Sequence, residues 1–451
     1  MKNSPMPLMQ SVRRKSSSAA FGILIVLVSL LFVSCRKNDD EPPVLSISIL
    51  GSTSFQFGEN IPFSISVTDN EQLTSLTVLI QSSNGSSVLE SRNYDVQNSS
   101  NFGVQDAIEH NGRYVESGSY LLKAIASDGE NESIAFREIY LYELPKEVLR
   151  YYILQSIDVG NTKVDSVQMD GSSFLAATIP MGLDIAQANP NVGSVLIGGR
   201  EFDGLSAFDG LQLNILNSLA TPSNTSPDYF TQIMYDDESF THYVLSGDGY
   251  IRNIRGDASV KNTIQTTPFI PEFVFVEDDY LLVLEHNLIE TENRISVYNK
   301  SNGTYLQSVE LDFEPKVILE DTNEDSEFWL LGNLNGQALT KKFSLSNNQV
   351  FDPNGILEIV ETSPVLTALL LPDGRPLISH ENGTYVYNST FTGSGIFIES
   401  SASQLVYEPI ENLIWIVQNG MVKVVQNGSF AAIQTFSILP GQAVVAILYN
   451  K

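Results

Sequence analysis

After residue 43 most of this chain alternates apolar and polar residues with a period of two. The first run of such segments is VLSISIL (44–50), IPFSISVTD (61–69), LTSLTVLIQ (73–81), SYLLKAIASDG (119–129) and SIAFREIYLYE (133–143). Alternation rich in Val, Ile, Phe and Tyr sends every second side chain to one face, which is the pattern of half-buried strands. Ser83-Asn84-Gly85 and Asp128-Gly129 separate them as turns. Helical spacing is hinted only near 103–109. Strands of this length, packed into roughly a hundred residues, predict a two-sheet sandwich over 44–145.

From residue 146 onward a longer period overlies the short one. An apolar strand ending at a polar turn recurs as YYILQS (151), VLIGG (195), YVLSGDG (243), LLVLEHN (281), FWLLGN (328), PLISHENG (376) and LIWIVQNG (413). The spacings run from 37 to 48 residues and average about 44, inside the range of a propeller blade. Two units read fully as four strands: EFVFVEDD, LLVLEHN, RISVYN and TYLQSVEL over 272–311, and SQLVYEP, LIWIVQNG, MVKVVQNG and FAAIQTFSI over 403–438. The paired QNG turns of the latter are hairpin chemistry. The first unit lacks an inner strand, and the chain ends with one to spare, AVVAILYN (443–450). If the last strand completes the first unit, the ring closes and no inner sheet edge is left open. The expectation is an all-β protein, with a seven-bladed β-propeller over 146–451 closed by the C-terminal strand. The GH…WD signature, the S-x-D-x-G-x-x-W box and paired kelch glycines are absent, since Gly198-Gly199 is the one such pair in the region.

The N-terminus adds an address. Residues 1–18 are polar and basic, and 19–33 (AAFGILIVLVSLLFV) are apolar apart from one serine, the length of a signal-peptide core and short of a spanning helix. Ser34-Cys35 follows, and Cys35 is the only cysteine of the chain. This resembles the bacterial lipoprotein signal, with 1–34 as signal peptide and Cys35 as lipidated residue; Phe32 stands where leucine is usual. The tether 35–43 continues Arg36-Lys37-Asn38-Asp39-Asp40-Glu41. Lys37 followed by Asp39, Asp40 and Glu41 resembles the export signal of Bacteroidota lipoproteins, which implies anchoring in the outer membrane facing outward. Several acyl chains on one cysteine hold durably where one would not. SISVTDN and SYLLKAIASDGE resemble the cadherin-like or PKD-like modules of bacterial surface proteins, implying an immunoglobulin-like sandwich. Asp165-Ser166-Val167 resembles a Bacteroidota O-glycosylation site.

Charge narrows the partners. The 451 residues carry 25 basic against 53 acidic side chains. Loss of Lys2, Arg13, Arg14 and Lys15 with the signal peptide leaves a net charge of about −32. Such a body repels phosphate backbones, which argues against nucleic acid. A single cysteine excludes an internal disulfide or a cysteine-rich zinc site. His110, His242, His286 and His380 are far apart and form no HExxH spacing. No cofactor is indicated. Asp69, Glu71, Asp128 and Glu130 are the only grouping that suggests calcium, and charged turns account for them equally.

Turns between the second and third strands of propeller sheets gather around one channel mouth. Here they offer Arg200 and Glu201, Asp248, Glu285 and His286, Asn333 and Asn335, His380 and Glu381, and Gln418 and Asn419. His286 and His380, each beside a glutamate, fall at equivalent positions two units apart. Tyr229-Phe230 and Trp329 are candidates for stacking on sugars, although Trp329 and Trp415 sit in apolar strands that predict core. No GxSxG elbow or phosphate-binding glycine loop is present. The expected function is therefore non-enzymatic: a surface lipoprotein whose sandwich carries a propeller that docks an outer-membrane protein complex or an extracellular ligand. The alternative is a glycan-binding or glycan-degrading propeller of a polysaccharide-uptake system.

Overall fold

The computed structural model describes residues 41–450, apart from 84, 86, 97–98, 113–114, 191, 201–202, 221–228, 288, 354–362 and 392–394. Cys35, Lys37, Asp39 and Asp40 lie outside the described residues, as does Glu201; Glu41 is described and exposed. Every described element is a β-strand. The chain divides between Leu144 and Pro145 into two compact units.

The first unit is a sandwich of two sheets. One has three antiparallel strands, with Asn60–Thr68 between Val44–Ile49 and Asn101–Glu109. The other runs in the order Ser54–Phe55, Glu132–Leu141, Gly118–Ser127, Ser75–Ser82, Val88–Tyr94, its first pair parallel. Alternating residues of both sheets meet in one core, Ile61, Phe63, Ile65 and Val67 against Leu76, Val78, Ile80, Leu122 and Ala124, all 2% exposed or less. Segment 103–109 is strand, because Gln105, Val104 and Gly103 pair with Ser64, Ile65 and Ser66 of a central strand; pairing overrides a local helical hint. At the sheet margin Asp106 takes an ion pair from Arg92 at 2.6 Å and a hydrogen bond from Tyr94 at 2.7 Å. These bonds hold its carboxyl below the usual range and tie Val88–Tyr94 to the opposite sheet. The calcium grouping resolves into turns. Asp69 Oδ2 accepts the Glu71 amide at 3.3 Å, and Asp128 Oδ1 accepts those of Glu130 and Asn131 at 2.6 Å. Among the described residues no three His, Cys, Asp or Glu side chains are placed to share a metal ion.

The second unit contains seven four-stranded antiparallel sheets among the described residues. Sheet one joins Val148–Asp158, Asn161–Val167 and Ser173–Ile179 to Ala443–Tyr449 from the far end of the chain. Sheets two to seven are meanders over 185–219, 230–265, 270–311, 314–351, 365–399 and 404–437. Their innermost strands are Ala443–Tyr449, Ile185–Asn189, Phe230–Asp236, Ile270–Glu277, Glu314–Glu320, Val365–Leu370 and Gln404–Glu408. Each touches the next, and the last touches the first. Seven separate apolar cores lie between successive sheets, one for each neighbouring pair. A closed ring of meanders with a core at every junction is a β-propeller.

Burial on both faces explains the unbroken apolar runs that mark the period. Leu282 and Leu284 face sheet five while Leu281 and Val283 face sheet three; a strand with two cores needs apolar residues at every position. Trp415 is fully buried and stacks on Phe436 with centroids 6.1 Å apart, beside Tyr151 of sheet one. Trp329 is also core, at 4% exposure. Tyr229 and Phe230 are not exposed: at 2% and 5% they fill the junction of sheets two and three and offer no face to a sugar. Ser166, 2% exposed and paired within sheet one, is shielded from a glycosylating enzyme in the folded protein.

The ring closes where Ala443–Tyr449 pairs antiparallel with Val148–Asp158, Val445 opposite Ile153. Substituting Val445 by Asp would bury an unpaired charge between sheets seven and one, where the valine is 3% exposed. A loss of at least about 3 kcal/mol is expected, read as a lowered urea midpoint and early proteolysis within 443–449.

His242 is fully buried, with Nε2 3.3 Å from the Ala188 carbonyl and Nδ1 3.4 Å from Asn189 Nδ2. Burial holds its pKa down to about 4, from 6.5. The unfolded chain therefore binds a proton that the folded chain refuses. Stability from this group is complete above pH 6.5 and declines as pH falls toward 4, by up to about 3 kcal/mol. Urea midpoints measured across that window should fall more steeply for wild type than for H242Q; parallel slopes would remove His242 as the cause.

Candidate functional site

In each meander the turn between the second and third strands and the connection to the next sheet lie at the same end of the ring. Backbone bonds join them there: Gly247 N to Tyr229 O at 2.7 Å, Thr266 N to Gly249 O at 2.9 Å, Glu381 N to Pro364 O at 3.0 Å and Ile438 N to Gly420 O at 3.1 Å. This end carries the candidate residues read from the turns.

Most of those residues are engaged within the fold. Arg200 reaches Asp184 at 3.3 Å and bonds the Gln442 amide oxygen, while Gln442 Nε2 donates to Asp184 O at 2.6 Å; together they tie sheet two to the C-terminal strand. Asp248 receives Arg252 at 2.6 Å, the Tyr229 hydroxyl at 2.5 Å and the Ser246 hydroxyl at 2.7 Å. Burial opposes its charge, but the guanidinium and the two hydroxyls outweigh it and hold the carboxyl below the usual range. The same burial, with the Asp248 carboxylate as acceptor, pushes Tyr229 up to about 12. Glu285 is 1% exposed and takes bonds from Arg294, Ser296 and Tyr298, each at 2.7 Å. Burial and the Glu285 charge push Tyr298 far above its ordinary value, so it stays a donor. Arg294 also lies over the Phe269 ring. His380 is fully buried, with Nδ1 2.8 Å from Ser363 O and Nε2 3.1 Å from the Tyr387 hydroxyl.

Burial thus removes Glu285 and His380 from the binding face, and internal pairing occupies Arg200 and Asp248. Gln418 Nε2 is bound to Ser400 O at 2.9 Å, and Asn419 Oδ1 accepts the Gly441 amide at 3.2 Å. His286 and His380 do hold matching register positions, opposite Ile270 and Val365 at the start of their inner strands, with Asn333 opposite Glu314 between them. Their surroundings differ. His286 keeps 29% of its side chain exposed, with Nδ1 2.9 Å from Glu272 Oε1; the contact has the distance of an ion pair without the angle of a hydrogen bond.

Among the described residues this end carries a groove of about 620 Å³ across the ends of sheets four, five and six. Of the candidate residues, Asn333, Asn335 and Glu381 line it. Asn333 forms its wall: Oδ1 accepts the Val365 amide at 2.7 Å and Nδ2 donates to the Val365 carbonyl at 3.2 Å, fastening sheet five to sheet six. The other lining groups include Asp312, Glu314, Lys316, Leu334 and Leu366, which turn-based reasoning missed. Asp312 sits on an inter-sheet connection, Lys316 and Leu366 at bulges, Glu314 at the start of an inner strand and Leu334 at the hairpin turn of sheet five. The inner strands of sheets three to six each carry one extra residue near this end, Thr231, Glu272, Lys316 and Leu366. A bulge re-aims a side chain out of the ladder, and two of the four point into the groove. A signal was present in Ile270-Pro271-Glu272 and Glu314-Pro315-Lys316, because proline inside a strand marks a bulge or edge.

No protein-family model matches this chain, and no curated protein does. Among solved structures, Sqt1 of Saccharomyces cerevisiae is similar at 12% identity and a TM-score of 0.41, over 58% of this chain and 76% of that one. The C-terminal WD40 domain of Sif2 is similar at 10% identity and 0.44, over 65% and 88%. The propeller of Dos1 is similar at 10% identity and 0.43, over 66% and 89%. The class of this chain, a β-propeller protein, rests on its own closed ring of sheets.

Replacing Asn333 by Ala would strand the Val365 amide and carbonyl where the asparagine is now 8% exposed. The expected cost is about 1–3 kcal/mol, seen as a lowered urea midpoint and as faster hydrogen exchange at the Val365 amide.

Proposed function

We propose that this protein is an outer-membrane lipoprotein of Bacteroidota type, lipidated at Cys35 and displayed outward through Lys37, Asp39, Asp40 and Glu41. Its seven-bladed propeller binds a protein partner without catalysing a reaction. The first unit is an immunoglobulin-like sandwich that serves as spacer; its two strand orders, three and five strands with a short parallel edge, support this. Seven sheets and seven junction cores support the blade number. The observation that carries the binding role is the fate of the polar groups at the channel mouth. Arg200 ties sheet two to the C-terminal strand and Glu285, His380 and Asp248 are engaged within their own sheets, while the groove at the same end is lined by mixed polar and apolar side chains from three sheets. Mixed apolar and polar lining in a preformed concavity suits recognition. Among the described lining residues the one aromatic ring, Phe313, is 2% exposed and forms no stacking platform for a sugar, which favours a protein partner over a glycan.

Two measurements test this. Cells expressing Cys35→Ala should yield folded protein in soluble fractions, while wild type stays with the outer membrane and is cut by protease added to intact cells. Membrane retention of the variant, or protection of the wild type, would overturn the address. A pull-down from detergent-solubilised outer membranes with wild type as bait should return a stoichiometric partner. Turnover of a glycan or peptide library by the purified protein would overturn the non-enzymatic reading.

A further inference from the structure

We infer that the groove across sheets four, five and six binds an extended peptide segment carrying lysine or arginine between apolar side chains. The inference rests on the binding role proposed above and assigns its ligand chemistry.

Three carboxylates, Asp312, Glu314 and Glu381, line the groove against a single ammonium, Lys316. Lys316 is already neutralised by Glu314 at 2.5 Å. Asp312 keeps 73% of its side chain exposed, its nearest cation being Lys341 at 3.5 Å, which is shared with Asp352. Glu381 is exposed. The groove therefore presents an excess of exposed negative charge that a cationic side chain would meet without first breaking a buried pair. The apolar component is equally specific in place. Leu334 and Leu366 line the same groove at 40% and 44% exposure. Leu366 is there because its bulge turns it out of the strand between Val365 and Thr367. Leucines beside carboxylates select a ligand that is both apolar and cationic. An anion is repelled by the carboxylates, and a neutral sugar finds no exposed ring among the described lining residues.

The probe is a fluorescent peptide of alternating leucine and lysine, followed by polarisation against the soluble mature chain. Comparison probes are the leucine–glutamate peptide and a neutral oligosaccharide. Binding should be saturable and weaken with salt. The double variant D312K/E381K should weaken it about tenfold or more. D237K/D278K, which makes the same charge change in exposed turns at the opposite end of the ring, should leave it within about twofold. Both pairs are surface positions, and unchanged urea midpoints would confirm folding. Equal loss in the two variants would show attraction by bulk charge and overturn the site. So would the absence of binding, or equal binding of the glutamate peptide or the sugar. If the membrane partner is still captured by D312K/E381K, the groove assignment fails while the binding role stands; if wild type captures none, the binding role itself fails.

Discussion

Pairing of Ala443–Tyr449 with Val148–Asp158 brings together residues at the two ends of the second unit, with Asn450 Oδ1 accepting the Glu147 amide across 303 positions. Every other sheet of the ring is a local meander that could form from consecutive residues. This one takes its innermost strand from the far end of the unit, so it depends on a pairing across nearly three hundred residues that no other sheet needs. The consequence reaches beyond sheet one. The cores on either side of it, around Tyr152 and Leu448 and around Trp415 and Val445, both need the C-terminal strand. Without it two of seven junctions lose a wall, and Val148–Asp158 becomes an unpaired inner edge.

The same constraint decides what the polar groups at the mouth do. A ring of wedge-shaped junctions has to be fastened at its ends as well as through its cores. Arg200 with Gln442 fastens sheet two to sheet one, Asn333 fastens sheet five to sheet six, and Gln418 fastens sheet seven to Ser400. These contacts occupy the donors of Arg200, Asn333 and Gln418, so the side chains are consumed by the architecture that brought them together. The bulges at Lys316 and Leu366 and the connection through Asp312 add side chains from outside the ladder to ladder residues such as Glu314 and Leu334, and the groove lies where they converge.

Acidity and architecture then point the same way. A net charge of −28 repels polyanions, and the groove, on the inference drawn above, would offer a cationic, partly apolar segment a place to lie. On that inference, the packed cores between sheets four and five and between sheets five and six set the described groove walls before a ligand arrives, which would lower the ordering cost of binding.

Strand positions were legible in the sequence because a strand buried on both faces must be apolar throughout, and LIWIV, LLVL and VLI can be nothing else in a ring of sheets. The spare strand at 443–450 was legible for the complementary reason, since the first repeat had no partner for its inner edge. Val88–Tyr94 and Asn101–Glu109 were not, because a largely exposed edge strand carries little alternation and Gly103 interrupts another. For the site, the turn residues were identified as a set, yet their fates diverged. Asn335 and Glu381 reach the groove, whereas Glu285 and His380 turn inward. One residue's step along a strand reverses its face, and a single bulge reverses it again, so exposure at a strand end depends on register. The sequence by itself determined the repeat of the ring, its closing strand and the acidity of the chain, since periodicity and composition can be read without knowing which strands meet. Only the tertiary structure decided which polar groups are consumed at the junctions and where an open groove remains, since both depend on register between strands far apart in the chain.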